Sequence, residues 1–313
     1  MGRLLVLLLA AAGLGCGDGS PARTWTPAEC LADPTCPVPL VSAHRGNCGA
    51  GEPENTLAAY LSCEARGVPM VEIDPRQTAD GFFVIMHDDT VDRTTDGEAR
   101  FPGRTEVARL TLAEFQSLVM DDPRCGDDPD ADPDRCRPAT LEAALARTAL
   151  LFDVDFKAGD AVALGNLVLA AGAASRVLVF DSNVQTLRDY RTVVPDGIVM
   201  PRAYVDFEFQ TLVGPDNADL ALRWIHGEAS LVAQEAAILA PANVRLYVNG
   251  WDASDGPDLF LAAAAAGGPD GAETQRQRAW ASLEAMIAAG ARCFGTDYGD
   301  QYSAYLYPAG FGN

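Results

Sequence analysis

The 313-residue chain carries a formal net charge of −21 and is 48% hydrophobic and 8% aromatic, enough apolar material for a sizeable core. Such acidity excludes a nucleic-acid binder, which needs a basic face to meet phosphates. A small phosphate ester fits only where a metal ion or a local Arg/Lys cluster reverses the field.

Residues 1–16 read as an export signal, with Arg3 as the positive start, Leu4 to Ala12 as the apolar core and small residues after it. The run is too short for a membrane span. Cys16 follows Gly13-Leu14-Gly15, which resembles a bacterial lipoprotein signal, although Gly13 stands where that signal usually has Leu. Lipidation of Cys16 and plain secretion both remain open, so the protein is expected at the cell surface, in the periplasm or secreted. A lipid on Cys16 is its one expected route to a membrane. Residues 17–38, rich in Pro, Asp and Thr, read as a tether ahead of one domain over 39–313.

Short β-like runs then alternate with Ala/Leu-rich helical ones. The predicted strands are Leu40–His44, Met70–Asp74, Phe82–His87, Leu150–Phe156, Arg176–Phe180, Gly197–Met200, Leu222–His226, Arg245–Asn249 and Arg292–Thr296. The predicted helices are Thr56–Arg66, Leu112–Leu118, Leu141–Thr148, Ala161–Ala174, Gln185–Val193, Ser230–Leu239 and Thr274–Ala289. This alternation indicates a parallel sheet, and about eight units at this length indicate a closed (β/α)8 TIM barrel. Nine strand candidates are one too many for eight, and Leu222–His226 is the first suspect.

Export permits disulfides. Besides Cys16 there are seven cysteines. Short-range pairing suggests Cys30–Cys36, Cys48–Cys63 and Cys125–Cys136, with Cys293 a buried free thiol, though spacing alone does not settle connectivity. The acidic stretch Asp121–Pro138 interrupts the barrel rhythm. It lacks the order of an EF-hand loop and reads as a solvated, disulfide-closed surface insertion.

The chemistry collects at strand ends. In Val71-Glu72-Ile73-Asp74, alternation puts both carboxylates on one face, and a hard cation such as Ca²⁺ or Mg²⁺ would relieve their repulsion. Asp155 and Lys157 share a face in the same way, one able to complete a three-carboxylate site and the other to hold a phosphate oxygen. His44 and His87 each close an apolar run near carboxylates, as a general acid and base would. Each feature alone is ordinary at a strand end; their recurrence is what points to catalysis.

These residues fall in a familiar order. His44-Arg45-Gly46, Pro53-Glu54-Asn55-Thr56, Glu72-Ile73-Asp74, Thr78-Ala79-Asp80-Gly81 and His87-Asp88-Asp89-Thr90-Val91-Asp92-Arg93-Thr94-Thr95-Asp96-Gly97 resemble the glycerophosphodiester phosphodiesterase family. Weaker matches follow at Asp155-Phe156-Lys157, Val248-Asn249 and Gly290–Tyr298. The resemblance implies a TIM-barrel hydrolase that cleaves glycerophosphodiesters such as glycerophosphocholine to glycerol 3-phosphate and an alcohol. It implies one divalent cation, Ca²⁺ or Mg²⁺, on Glu72, Asp74 and Asp155, and His44 and His87 as the acid/base pair. It further implies Arg45 and Lys157 as phosphate ligands, and Glu54 as the residue that orients Arg45 or the glycerol.

Asp155 departs from the Glu usual in that family and resembles the sphingomyelinase D-like enzymes, which cleave choline phospholipids and lysophospholipids. A phospholipase D-like activity is therefore the alternative, and a non-catalytic surface binding protein a second one. Trp224, His226 and Trp251 are candidates for the pocket rim, the two tryptophans suiting a choline headgroup through cation–π contact.

Overall fold

The computed structural model describes residues 23–49, 51–266 and 271–312. The expected export signal and Cys16 lie outside the described residues. No helix among the described residues is long and apolar enough to cross a membrane.

Among the described residues ten strands form: β1 Leu40–Ala43, β2 Met70–Ile73, β3 Pro75–Gln77, β4 Phe83–Ile85, β5 Leu151–Asp155, β6 Val177–Phe180, β7 Ile198–Met200, β8 Trp224–His226, β9 Arg245–Asn249 and β10 Ala291–Thr296. Eight of them make one parallel sheet in the order β7-β6-β5-β2-β1-β10-β9-β8. The two outer strands meet where the His226 N–H donates to the Pro201 carbonyl at 2.9 Å and the Ala203 N–H to the His226 carbonyl at 3.0 Å. The sheet thereby closes into a (β/α)8 barrel. Because helices cover its outside, the strands are buried on both faces and read as apolar runs.

The expected surplus strand is a different one. Leu222–His226 supplies barrel strand β8, whereas Phe82–His87 supplies β4, which pairs antiparallel with β3 in a hairpin outside the barrel. Period-2 apolar patterning is the same for both, so only the pairing partner separates them. The hairpin opens a long excursion between β2 and β5 with its own core of Val84, Met86, Val91, Val107, Leu110, Phe115 and Leu118. The disulfides are Cys30–Cys36, Cys48–Cys63 and Cys125–Cys136, and Cys293 is a buried free cysteine. In the acidic insertion four of the carboxylates face arginines, among them Asp122, Asp130 and Asp134. Arg137 pairs with Asp130, Arg124 with Asp122 and Arg147 with Asp134.

The inside of the barrel is graded along its axis. At the N-terminal end Leu40, Met70, Leu151, Leu178, Ile198, Trp224 and Cys293 pack together. Two positions further along the strands the inward side chains become polar, at Ser42, Glu72, Asp153 and His226, all buried.

Part of the expected tether is not a tether. Pro27–Ala32 is a helix with a Thr26/Glu29 capping box. Its Cys30 and Leu31, with Cys36, pack onto the apolar floor and stopper it. The indole N–H of Trp224 donates to the Leu31 carbonyl at 2.9 Å. Arg245 stacks 3.8 Å over the Trp224 ring and donates to the Cys30 and Leu31 carbonyls. Trp224 is thus fully buried at the end opposite the expected rim and is no candidate for a headgroup contact.

Replacing Arg245 by Ala leaves the Cys30 carbonyl without that donor. The expected loss is about 1–3 kcal/mol, read as a lower urea midpoint together with faster proteolysis between residues 23 and 38.

Candidate active site

The site is built on the C-terminal rim of the strands, beginning with a tight turn. After β1, Arg45 adopts φ 52° and Gly46 φ 77°. A Cβ on Gly46 would meet the Ala59 Cβ and the Tyr60 ring at 2.9 Å, so both the backbone angle and the space demand glycine. Arg45 in the left-handed region is a strained position for a non-glycine residue. The turn aims its N–H at Glu72 Oε2, 2.9 Å away, and its guanidinium at Glu54, 3.1 Å, and Asp74, 3.7 Å.

Asn55 is also left-handed, at φ 59°, a conformation that Asn tolerates. Its N–H donates to the Arg45 carbonyl at 2.9 Å, and its amide nitrogen donates to Asp74 Oδ2 at 2.7 Å. The Tyr60 hydroxyl donates to Asn55 Oδ1 at 2.9 Å, which fixes the amide orientation. Thr56 then caps helix Leu57–Ala65. The Glu-Asn-Thr segment thus ties the first turn, the second strand and the following helix together.

Glu72, Asp74 and Asp155 each offer a carboxylate oxygen, and these oxygens lie within 4.8 Å of one another. Glu72 and Asp74 are buried. Burial pushes the Glu72 carboxyl well above the usual range, and Asp74, Asp155 and Asp153 push it further. Burial likewise raises Asp155, against the pull of Lys157. Burial also works against ionised Asp74, but Lys157, the Asn55 amide, His87 and Arg45 outweigh it and hold this carboxyl below its ordinary value. Lys157 Nζ lies 2.5 Å from Asp155 Oδ2 and 3.2 Å from Asp74 Oδ1. Asp74 Oδ1 makes no hydrogen bond. An all-oxygen set with an unfilled buried lone pair and a carboxyl starved of positive charge fits a hard divalent cation.

The two histidines flank this cluster. His44 meets Asp297 Oδ1 through Nδ1 at 2.8 Å, and its ring lies 4.7 Å from that of Trp251. Asp297 is itself positioned: its N–H donates to the buried Asp258 carboxylate, which also accepts from the Thr296 and Tyr302 hydroxyls. His87 meets Asp88 Oδ1 through Nδ1 at 2.7 Å. It sits beyond the hairpin, not on a barrel strand, and Arg76 holds that segment by donating to the Met86 and His87 carbonyls. In both rings a carboxylate engages Nδ1, leaving Nε2 as the nitrogen each can present to the cavity. Arg93 joins the two halves, with its guanidinium on Glu54 at 2.6 and 3.0 Å and on Asp88 at 2.5 Å.

A cavity of about 100 Å³ unites these groups. It is lined by His44, Glu72, His87, Asp153, Asp155 and Lys157 on one side, and by Phe180, Met200, Arg202, His226, Tyr247, Asn249 and Trp251 on the other. An outer groove of about 460 Å³ begins at His44 and runs past Arg45, Asn47, Gly51, Glu52, Glu54 and Asp297. All eight expected residues, His44, His87, Arg45, Lys157, Glu54, Glu72, Asp74 and Asp155, therefore converge on one rim. Asp88, Arg93, Asp297 and Asn55 were not singled out from sequence. Asp88 and Arg93 stand within the His87–Gly97 motif and Asp297 within Gly-Thr-Asp, but their partners lie far along the chain and only folding brings them together.

Residues 44–198 match the glycerophosphoryl diester phosphodiesterase family. Glycerophosphodiester phosphodiesterase 1 of Bos taurus is 38% identical over 125 residues, 38% of this chain and 36% of the relative. The glycerophosphodiester phosphodiesterase of Caldanaerobacter subterraneus subsp. tengcongensis is 49% identical over 79 residues, 25% of this chain and 30% of the relative. The chain thus spans about a third of the length of the curated relatives it matches. Among solved structures, a glycerophosphoryl diester phosphodiesterase of Parabacteroides distasonis superposes with TM-score 0.63 at 21% identity, covering 92% of this chain and 93% of that one. An Oleispira antarctica phosphodiesterase in complex with sn-glycerol-3-phosphate superposes with TM-score 0.59 at 21% identity, covering 86% and 97%. At that identity the likeness is one of fold. With its barrel, its motifs and this match, the chain belongs to the glycerophosphoryl diester phosphodiesterase family.

Because Glu72 holds its proton more tightly folded than unfolded, the native state binds more protons than the unfolded one above pH 4.5, and metal-free stability falls as pH rises from there. Glu72→Gln is therefore expected to raise the melting temperature in a chelator at pH 7.5, by about 2–4 °C for each kcal/mol recovered. The variant and wild type are expected to converge near pH 4. Adding Ca²⁺ or Mg²⁺ is expected to stabilise wild type more at pH 8 than at pH 5.

Proposed function

We propose that the protein is a metal-dependent phosphodiesterase that hydrolyses glycerophosphodiesters to glycerol 3-phosphate and an alcohol. The carrying observation is that two carboxylate-oriented histidines and Lys157 line one small cavity with Glu72 and Asp155, while Asp74 completes the carboxylate cluster and Arg45 lines the adjoining groove. The names of the curated relatives support the same reading.

A phosphodiester carries one negative charge and gathers more on its non-bridging oxygens in the transition state. Arg45 and Lys157 stand where they stabilise that added charge. A divalent cation held by Glu72, Asp74 and Asp155 would relieve their repulsion and polarise the phosphate. One histidine takes the proton of the attacking hydroxyl as its oxygen bonds to phosphorus. The other protonates the alcohol oxygen as its bond to phosphorus breaks. Asp297 and Asp88 set the tautomers, so that each Nε2 can hold or accept the proton that moves. Glu54, shared between Arg45 and Arg93, keeps the phosphate-facing guanidinium in register.

The outer groove suits a cationic alcohol such as choline, since Glu52, Glu54 and Asp297 outnumber Arg45 on its walls. Export, with or without a lipid on Cys16, would place the enzyme outside the cytoplasm. The phospholipase D-like alternative needs an apolar groove beside the histidines, and both chambers here carry charged walls.

Glycerol 3-phosphate release from glycerophosphocholine, assayed with Ca²⁺, with Mg²⁺ and after chelation, tests the reading and identifies the ion. His44→Ala and His87→Ala are each expected to lower kcat by roughly 10²–10⁴-fold, and Asp155→Ala to abolish the response to metal. Choline release from lysophosphatidylcholine instead would move the protein to the alternative.

Asp297→Asn is expected to lower kcat about as much as His44→Ala while KM holds, because only the His44 tautomer and orientation change. An unchanged kcat in Asp297→Asn would remove His44 from the proton transfers as drawn here.

A further inference from the structure

The cavity has a floor that the reaction as drawn does not use. His226 ends β8 there with 4% of its surface exposed, set edge-on between the rings of Phe180, at 5.4 Å, and Tyr247, at 4.9 Å. Its ring nitrogens make no hydrogen bond of standard geometry, and the Asn249 side chain is the one polar neighbour near enough to favour its protonated form. A buried imidazole whose one polar neighbour is a poorly aligned amide forfeits much of the energy of its donor and its acceptor. The arrangement persists at low cost only if a ligand completes it.

Burial, with the positive charge of Arg202 nearby, pushes the His226 ring down to about 3, so it is neutral at any working pH. A neutral imidazole offers one donor and one acceptor, the pair a hydroxyl group matches. The Arg202 charge is already taken up by Glu228 at 3.0 Å and Asp252 at 3.8 Å, so this end of the cavity is not built for a second anion. At about 100 Å³ the chamber is well below the roughly 300–1,000 Å³ of pockets that take drug-sized ligands.

We propose that His226 is a specificity-determining residue that reads a free glycerol hydroxyl at the closed end of the cavity. The glycerol arm lies inward against His226, Tyr247 and Met200, and the second alcohol lies outward along the groove that starts at His44. An acyl chain on the glycerol has no space at the floor, where Met200 and Tyr247 are buried. The proposal rests on the phosphodiesterase reading and adds to it which arm of the diester is recognised, and by what.

The test crosses enzyme with substrate. Wild type and His226→Phe are assayed on glycerophosphocholine and on the phosphocholine esters of propane-1,2-diol and propane-1,3-diol, each lacking one glycerol hydroxyl. Wild type is expected to lose roughly 100-fold or more in kcat/KM on one of the two analogues, because a site built to bond a hydroxyl rejects its absence. His226→Phe is expected to lose activity on glycerophosphocholine and to show no such preference. His226→Gln, which keeps a donor and an acceptor, is expected to recover part of it.

A wild-type ratio near one overturns the proposal without recourse to any variant, and so does a preference that His226→Phe retains. Turnover of lysophosphatidylcholine at the rate of glycerophosphocholine overturns the closed floor. If wild type hydrolyses none of these diesters, the phosphodiesterase reading fails separately. The hydroxyl reader is then judged by calorimetric binding of glycerol 3-phosphate against the two propanediol phosphates, where equal affinities overturn it.

Discussion

The structure is organised around the repulsion of three carboxylates that the fold holds together. Glu72, Asp74 and Asp155 reach one point from adjacent parallel strands, β2 and β5, in register at Glu72 opposite Asp153. In water such a group would separate or be screened; under the rim of a barrel it can do neither. The neighbouring residues are arranged to contain it. Asn55 and Arg45 hold Asp74, Lys157 bridges Asp74 and Asp155, and the Arg45 N–H holds Glu72. The left-handed backbone of Arg45 and Asn55 is the conformational cost of that containment, since both turns exist to place a donor on a buried oxygen.

The same constraint explains the axial gradient of the barrel. A cluster of buried charge needs a fold that does not open beneath it. The opposite end is accordingly apolar and stoppered by the helix Pro27–Ala32, whose last carbonyls are claimed by Trp224 and Arg245. Arg245 is a buried cation at the apolar end, its guanidinium brought down to about 10 by burial, and it is used to hold a backbone segment, not a ligand. The candidate site and the structural closure are thus separated by the length of a short strand.

Much of this was legible in the residues. Period-2 alternation put Glu72 with Asp74 and Asp155 with Lys157, and the structure shares their faces as expected. Helix caps at Thr56 and Thr140 fell where the helical patterns begin. What could not be read was pairing at a distance. Phe82–His87 and Leu222–His226 have the same local pattern, and only their strand partners make one a hairpin and the other a barrel wall. Trp224 lies two residues before His226 on the same face, yet one lines the floor of the stopper and the other the floor of the cavity. Sequence shows the shared face but not the height at which the site begins. Residues 27–36 looked like tether because the stretch 17–38 around them is rich in Pro, Asp and Thr, while their buried part is Cys30, Leu31 and Cys36 alone. The carboxylates that orient the histidines followed the same rule. Asp88 is adjacent to His87, whereas Asp297 reaches His44 only because β10 and β1 are neighbours in the closed sheet.

Closure of the barrel between β7 and β8 has a consequence for chemistry as well as for shape. The bonds that join Pro201, Ala203 and His226 are backbone bonds, so they fix the height of His226 without occupying its ring. The side chain is thereby held rigid by packing between Phe180 and Tyr247 while its polar edge stays uncommitted. On the other wall the charged side chains are paired, His44 with Asp297, His87 with Asp88, Lys157 with Asp155 and Arg45 with Glu54, and only single carboxylate oxygens of Asp74 and Asp153 and the Arg45 Nε lack a hydrogen bond. A cavity with one charge-paired wall and one unsaturated wall divides its labour. On the proposed reading, the charge-paired wall is pre-organised for charge that develops during reaction, where fixed dipoles are worth most. The unsaturated wall has something to gain only from the ground-state ligand that fills it. On the proposed reading, specificity belongs with His226, and rate with the carboxylate-oriented histidines across from it.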